Sequence, residues 1–144
     1  MSQGGRLMEF RMEVNASPNQ VFDLLHQSVA AEARRLTGKE VSLYRIRKGF
    51  SYRFELSNLQ PGSFLVTAFS KPASFATRLN LPDKSSQFHY EITPTKNGSL
   101  VVLKRQDFKS DGTPIVYNSL QTLSMKRDFM KGIKQGLKSQ GRKR

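Results

Sequence analysis

The stretch Met8-Glu-Phe-Arg-Met-Glu-Val-Asn-Ala-Ser-Pro-Asn-Gln-Val-Phe22 decides the fold, because it changes from the periodicity of a strand to that of a helix within a few residues. Between Met8 and Val14, apolar and polar residues alternate, which predicts a strand with one buried face. The order in which such periodicities follow one another along the rest of the chain predicts the architecture.

The helix after this strand carries both a start signal and a stop signal. Ser17 suits the N-cap, Pro18 suits the first helical position, and Gln20 completes a capping box with Ser17. Apolar residues then recur at helical spacing as far as Leu36, and Gly38 ends the run. We therefore predict a helix from Ser17 to about Leu36.

A series of alternating segments follows the helix. Turn signals such as Gln60-Pro61-Gly62 and Lys96-Asn97-Gly98 separate them. Short strands that are evenly spaced by turns indicate an antiparallel meander rather than βαβ units. The six predicted strands cover about residues 41–47, 50–57, 64–69, 75–81, 87–92 and 100–108.

The chain closes with a long basic amphipathic segment. Thr113 is a candidate cap and Pro114 a candidate first residue, which predicts a helix from about Pro114 to Lys138. Gly132 and Gly136 weaken its far end, so we expect fraying beyond about residue 136 and a basic, disordered tail over residues 138–144. The main apolar stripe of this helix is predicted to cover the sheet and comprises Val116, Leu120, Leu123, Met130 and Leu137, with Ile115, Met125, Phe129 and Ile133 beside it.

These elements predict one α+β domain spanning residues 1–144, with an ordered core over about 7–137. A curved antiparallel sheet of about seven strands, in the order β-α-β6-α, would pack on the long C-terminal helix. This order resembles the helix-grip proteins, the START-like or Bet v 1-like (SRPBCC) superfamily. Locally the chain resembles the DUF3284 family of uncharacterised bacterial proteins, through the stretch quoted above and through Gly49-Phe-Ser-Tyr52 and Gln87-Phe-His-Tyr-Glu-Ile92.

The resemblance implies a deep pocket between the sheet and the last helix, which various members of the superfamily use for lipids, hydrophobic metabolites or polyketide chemistry. It supplies no catalytic motif, and a shared fold does not fix function.

The aromatic residues are the candidates for lining such a pocket. Phe50, Tyr52 and Phe54 fall on one face of a predicted strand, and the same residues would serve equally well as ordinary core. If a cavity exists, Tyr52 and Tyr90 would supply the few polar groups that orient an apolar ligand. The remaining lining candidates are Phe10, Phe64, Phe75 and Phe88, with Tyr117 and Asn118 at the entrance.

The net charge of +13, from 24 basic and 11 acidic residues, favours acidic partners such as nucleic acid, anionic lipid or acidic metabolites. A solvated helix face with a disordered end is the alternative explanation. Because the apolar stripe of the last helix is needed to cover the sheet, we expect no stable membrane insertion. Two basic patches are candidates for nonspecific contact with nucleic acid, namely Arg45, Arg47, Lys48 and Arg53, and, on the last helix, Lys126, Arg127, Lys131 and Lys134.

The stretch Lys48-Gly-Phe-Ser-Tyr-Arg-Phe54 also partly matches the stacking motif of RNA-recognition domains. Ser51, Arg53 and Glu55 depart from that motif, and the segments after Leu56 are predicted as strands where that fold requires a helix. We therefore favour the helix-grip fold.

Catalytic chemistry is poorly represented. The chain has no cysteine, which excludes disulfides and thiolate sites, and it has no Gly-x-Ser-x-Gly elbow. Asp23 and His26 would share a helix face as a surface ion pair, and His89 is expected to face solvent. We expect no metal and no cofactor, since two histidines alone do not hold zinc.

The sequence therefore predicts a cytoplasmic small-molecule-binding protein, since neither a signal peptide nor a membrane-spanning stretch is evident. The alternatives are a nucleic-acid-associated protein and an enzyme of the superfamily.

Overall fold

The computed structural model describes residues 7–142, which form one antiparallel sheet and two α-helices. The sheet order is β1-β6-β5-β4-β3-β2, and both helices lie on one face, which we call the inner face. This arrangement is the predicted α+β helix-grip fold. The elements are β1 (Met8–Val14), α1 (Pro18–Thr37), β2 (Ser51–Glu55), β3 (Pro61–Ser70), β4 (Ser74–Asn80), β5 (Lys84–Thr95), β6 (Gly98–Lys109) and α2 (Ser119–Arg142), with a 3-10 turn at Leu43–Arg45.

The caps of α1 confirm the local signals. The Gln20 main-chain N–H donates to the Ser17 hydroxyl oxygen at 3.2 Å, and the Ser17 N–H donates to the Gln20 side-chain oxygen at 2.8 Å. Gly38 ends the helix with a positive φ of 74°, a conformation that glycine adopts without a steric penalty.

The predicted strand over residues 41–47 is wrong, so the sheet has six strands rather than seven. Ile46 is the buried residue of this segment, at 1% exposed, and it is out of phase with the apolar alternation that suggested a strand. His26 holds the segment in its turn, because its Nε2 lies 3.0 Å from the carbonyl oxygens of both Leu43 and Ile46. Asp23 pairs with Lys71 at 2.9 Å instead of with His26.

The last helix begins at Ser119, later than predicted. Asn118 is its cap, since the Gln121 N–H donates to the Asn118 side-chain oxygen at 2.8 Å and the reciprocal bond measures 2.9 Å. Thr113, the expected cap, closes a turn with Asp111 instead. The chain then runs back along β6, where Phe108 pairs with Pro114, and backbone that pairs with a strand cannot also be helical.

The face of α2 that packs on the sheet also differs from the prediction. Phe129 and Ile133 are buried, and the Phe129 ring stacks on Phe10 with 6.2 Å between ring centroids. Gly136 lies against the Leu24 side chain of α1, where an added Cβ would displace the leucine. The predicted stripe is consequently turned away from the sheet over its first half, where Val116, Leu120 and Leu123 are exposed.

The helix extends to Arg142, so residues 138–142, expected in a disordered tail, lie on α2. The Gln140 side-chain N–H donates to the Gln20 carbonyl at 3.4 Å and links this end to α1. Residues 143 and 144 lie outside the described part of the chain.

A buried carboxylate holds the start of α2 against the sheet. Asp107 is only 2% exposed, and Arg105 binds both of its oxygens, at 3.0 and 2.9 Å. The Tyr117 hydroxyl, one residue before the cap of α2, donates to the same carboxylate. Burial opposes ionisation of Asp107, but hydrogen bonds from Arg105, Tyr117 and Ser86 and the Arg105 charge outweigh it, so the pKa of this carboxyl lies below its ordinary value.

Replacing the N-cap of α1 tests the capping box. We expect Ser17→Ala to lower the free energy of unfolding by about 1 kcal/mol, because the Gln20 N–H loses its acceptor. Urea denaturation measures this change. Ser110→Ala, in an exposed turn, is the matched control and should change stability by less than about 0.5 kcal/mol. Equal effects of the two substitutions would contradict the role of the cap.

Asp107→Asn tests the buried carboxylate. We expect it to lower the free energy of unfolding by roughly 3 kcal/mol at neutral pH, because Arg105 keeps its charge but loses its counterion. A lowered pKa in the folded state stabilises the protein above the unfolded pKa of about 3.9, and this contribution is lost as the pH falls below that value. The difference between wild type and variant, measured by urea denaturation, should therefore shrink between about pH 6 and pH 3. A difference independent of pH would refute this account.

Candidate ligand-binding groove

An apolar groove lies between α1 and the inner face of the sheet, with a cavity volume of about 210 Å³. Helix α1 forms one wall and strands β3, β4 and β5 form the other. No described residue of α2 lines it, although the sequence predicts a pocket against the C-terminal helix. The lining residues are Leu25, Ser28, Val29 and Glu32 from α1 and Phe64, Phe75, Thr77, Phe88 and Tyr90 from the sheet.

Four aromatic side chains of the sheet form one wall of the groove, and we call Phe64, Phe75, Phe88 and Tyr90 the aromatic wall. Strand alternation and register place them there. Phe88 and Tyr90 are two residues apart on β5 and so point to the same face. Their partners on β4 are Thr77 and Phe75, and side chains that are paired in this way lie about 4.5–5.5 Å apart at Cβ. These side chains therefore share the inner face of the sheet and line the groove opposite Leu25 and Val29 of α1.

The polar groups of the groove are few. Among residues 7–142, the hydroxyls of Tyr90 and Thr77 make no hydrogen bond, whereas the Ser28 hydroxyl donates to the Leu24 carbonyl at 2.7 Å. Burial raises the pKa of Tyr90, against the opposing charge of Arg105, so its hydroxyl stays protonated at neutral pH. Tyr90 and Thr77 are thus the groups that can bond to a ligand.

The groove contains one carboxylate, which is paired. Glu32 accepts hydrogen bonds from Arg35 at 3.0 and 2.5 Å. The Arg35 hydrogen bonds, and secondarily its charge, lower the pKa of Glu32 against a smaller opposing effect of burial. Glu32 is therefore ionised at neutral pH and is not poised to donate a proton.

A second cavity, of about 610 Å³, lies beyond the groove between the end of α1 and β2. Tyr52 and Phe64 mark the boundary between the two, with stacked rings 5.1 Å apart. Burial, and then the charge of Glu32, raise the pKa of Tyr52 to about 12, so this hydroxyl also stays protonated. The charged residues that line the second cavity make it more polar than the groove, and they are Lys39, Arg45, Arg53, Glu40 and Glu55.

The structure divides the lining candidates named from the sequence into three groups. Phe64, Phe75, Phe88 and Tyr90 line the groove, and Phe50, Tyr52 and Phe54 line the second cavity. The other three have different roles, since Phe10 packs on Phe129, Tyr117 binds Asp107 and Asn118 caps α2.

The four α1 residues of the groove were missed by the sequence analysis. Leu25 and Val29 lie on the apolar stripe of α1, and such a stripe is typical of residues in the hydrophobic core. The spacing of apolar residues along the sequence does not show that the sheet leaves an open space beneath them.

The two basic patches lie on separate elements. Arg45, Arg47 and Lys48 are exposed on and after the 3-10 turn, and Arg53 is exposed on β2. Arg47 donates to the Tyr44 carbonyl at 3.1 Å. The four residues of the other patch, Lys126, Arg127, Lys131 and Lys134, are exposed on α2.

The outer face of the sheet carries a polar depression of about 330 Å³. Arg78 borders it and has a buried Nε without a hydrogen-bond partner in the described chain. Lys104 is already paired with Glu91 at 3.3 Å, and His89 is bonded to the Ser74 hydroxyl at 3.0 Å. Lys104 and His89 are thus paired within the sheet, whereas the Arg78 Nε is not.

Within residues 7–142, no three metal-ligating side chains come together. Neither described helix is apolar over enough of its length to cross a bilayer.

Comparison with solved structures supports the fold. MLL2253 of Mesorhizobium loti is 14% identical, with 93% of this chain and 95% of that chain covered and a TM-score of 0.60. BH1534 of Bacillus halodurans is 12% identical, with 92% and 96% covered and a TM-score of 0.59. Ara h 8.0201, a Bet v 1-like protein, is 11% identical, with 94% and 99% covered and a TM-score of 0.64.

Comparison with the curated proteins gave no match. The model of the family described as "Domain of unknown function (DUF3284)" matches residues 8–131. The chain therefore belongs to the DUF3284 family and has the helix-grip fold of the START-like and Bet v 1-like proteins.

Proposed function

We propose that the protein binds a small apolar or amphipathic molecule in the groove between α1 and the sheet. The observation that carries this proposal is the aromatic wall of Phe64, Phe75, Phe88 and Tyr90, which faces α1 across an unfilled volume of about 210 Å³. An apolar concave surface with a few convergent polar groups is the usual form of a small-molecule site. The free hydroxyls of Tyr90 and Thr77 would orient a carbonyl or hydroxyl group of the ligand.

The second cavity favours an elongated ligand. Burying about 200 Å² of apolar surface in the groove contributes about 5 kcal/mol, from which the entropy cost of association must be subtracted. A molecule that passes Tyr52 into the second cavity buries more surface and brings its polar end near Arg45. An apolar body with a polar or anionic end fits both cavities.

Filling the groove tests the proposal. Wild type should bind the apolar fluorescent probe N-phenyl-1-naphthylamine, and Val29→Phe should weaken that binding by about tenfold or more, because the added ring occupies the space opposite Tyr90. Leu36→Phe is the matched control, since Leu36 lies on the same helix but lines the second cavity. It should leave binding of this short probe nearly unchanged. Thermal unfolding of each variant shows whether it has folded.

A comparison of wild type with Val29→Phe also identifies the natural ligand. Protein purified from its own host without detergent is extracted with organic solvent, and the extracts are compared by mass spectrometry. A compound present with wild type and absent with Val29→Phe is the ligand of the groove. Wild type that carries no such compound and binds no probe would refute the proposal, as would equal probe binding by wild type and folded Val29→Phe.

A further inference from the structure

The outward face of α2 carries a stripe that the fold does not use. Leu120 is 78% exposed and Leu123 is 43% exposed, both near the start of the helix. At about 100° of rotation per residue, the exposed cations that follow lie within the same arc of about 80°. We call this set the outward stripe of α2, and it comprises Leu120, Leu123, Arg127, Lys131, Lys134 and Lys138.

The stripe is segregated along its length. At about 1.5 Å per residue it is about 27 Å long, with aliphatic side chains at one end and four cations over the rest. Val116, which is 58% exposed and precedes the helix, adds to the aliphatic end. The stripe thus has an apolar end, followed by a row of four basic side chains that we call the basic ladder.

The cations of the stripe have no counterion within the described chain. None has a carboxylate within 4.0 Å among residues 7–142. Asp128 is the one acidic residue of α2, and it lies beside the stripe rather than on it. These positive charges therefore act on whatever approaches from outside.

The opposite face of α2 holds it to the protein. Phe129 and Ile133 are buried, and Gly136 contacts Leu24. The outward stripe can consequently meet a partner without any loss of packing. The expectation of no stable membrane insertion rests on this apolar stripe covering the sheet, whereas Leu120 and Leu123 are exposed.

We propose that the outward stripe of α2 docks on the surface of an anionic lipid bilayer. The helix would lie parallel to the membrane, with Leu120 and Leu123 at the boundary between headgroups and acyl chains and the cations on lipid phosphates. Apolar burial combined with attraction of Lys and Arg to anionic lipid is the physical basis of such interfacial binding. The attachment is peripheral and involves no insertion of a spanning segment.

Two other occupants fit the stripe less well. A second copy of the chain would bring two ladders of like charge together, which is unfavourable. A nucleic-acid backbone would satisfy the four cations, but it offers no apolar phase for Leu120 and Leu123. Of these three occupants, a bilayer surface is the one that matches both ends of the stripe.

Vesicle flotation tests the proposal. Wild type should float with phosphatidylcholine vesicles that contain about 30% phosphatidylglycerol, and at least about tenfold less with phosphatidylcholine alone, at about 50 mM salt. Lys131→Glu with Lys134→Glu should weaken binding by about tenfold or more. Leu120→Ser with Leu123→Ser should weaken it several-fold although the charge is unchanged, because apolar insertion is lost.

The matched control is Arg47→Glu with Lys48→Glu, which makes the same change of net charge on the other basic patch. It should retain most of the affinity for anionic vesicles, as should Val29→Phe, which alters only the groove. Because the substituted residues of α2 are exposed, circular dichroism and thermal unfolding should match wild type.

Three results would overturn the proposal. The first is no difference in flotation between neutral and anionic vesicles. The second is an equal loss from the Arg47 and Lys131 double variants, which would indicate nonspecific attraction by net charge. The third is anionic-vesicle binding by the leucine variant equal to that of wild type, together with competition by single-stranded RNA, which would assign the basic ladder to nucleic acid.

Discussion

The carboxylate of Asp107 is the contact on which the placement of α2 depends. It joins Arg105 of β6 to Tyr117, the residue next to the cap of α2, and it does so inside the protein, where an unpaired charge is strongly unfavourable. The start of α2 is thereby held at one end of the sheet, while Gly136 meets α1 at the other. Together with the burial of Phe129 and Ile133, these attachments determine which side of α2 faces inward. The group formed by Asp107, Arg105 and Tyr117 also contacts the groove, because the Arg105 guanidinium lies 4.9 Å from the ring centre of Phe88.

The parts of the fold that depend on local signals could be predicted from the sequence. Ser17, Gln20 and Gly38 define the ends of α1 through contacts between near neighbours, and strand alternation places Phe88 and Tyr90 on one face. The rotation of α2 could not be predicted, because two overlapping sets of apolar residues both satisfy helical spacing. The choice between them depends on contacts with β1 and α1, which are far away in the sequence. Apolar and polar residues alternate over residues 41–47 as they would in a strand. The contacts of His26 with this segment and the burial of Ile46 decide its conformation instead.

The groove could be predicted only from its sheet side. Alternation identifies residues such as Phe64 and Tyr90 as inward-facing, but core and cavity walls have the same pattern. Whether a ring meets another side chain or an open space depends on the angle at which α1 crosses the sheet, and no spacing in the sequence encodes that angle. Phe10 and Tyr90 illustrate the difference, since both rings contact Phe129 but only Tyr90 lines the groove. The chemistry expected of the site, rings with a few hydroxyls, depends on residue type alone and so needed no three-dimensional information.

The pairing of β1 with β6 has a consequence for how the protein is made. Val14 lies opposite Ser99, and the Ser99 hydroxyl donates to the Ala16 carbonyl at 2.6 Å just before α1 begins. Strand β1 therefore has no partner until β6 has been synthesised, although the hairpins of β3, β4 and β5 can close as they emerge. Contacts between such distant parts of a chain slow folding. During translation the apolar side of β1 and the underside of α1 stay uncovered for most of the chain's length, so nascent chains that stop before Gly98 would be the forms most dependent on chaperones.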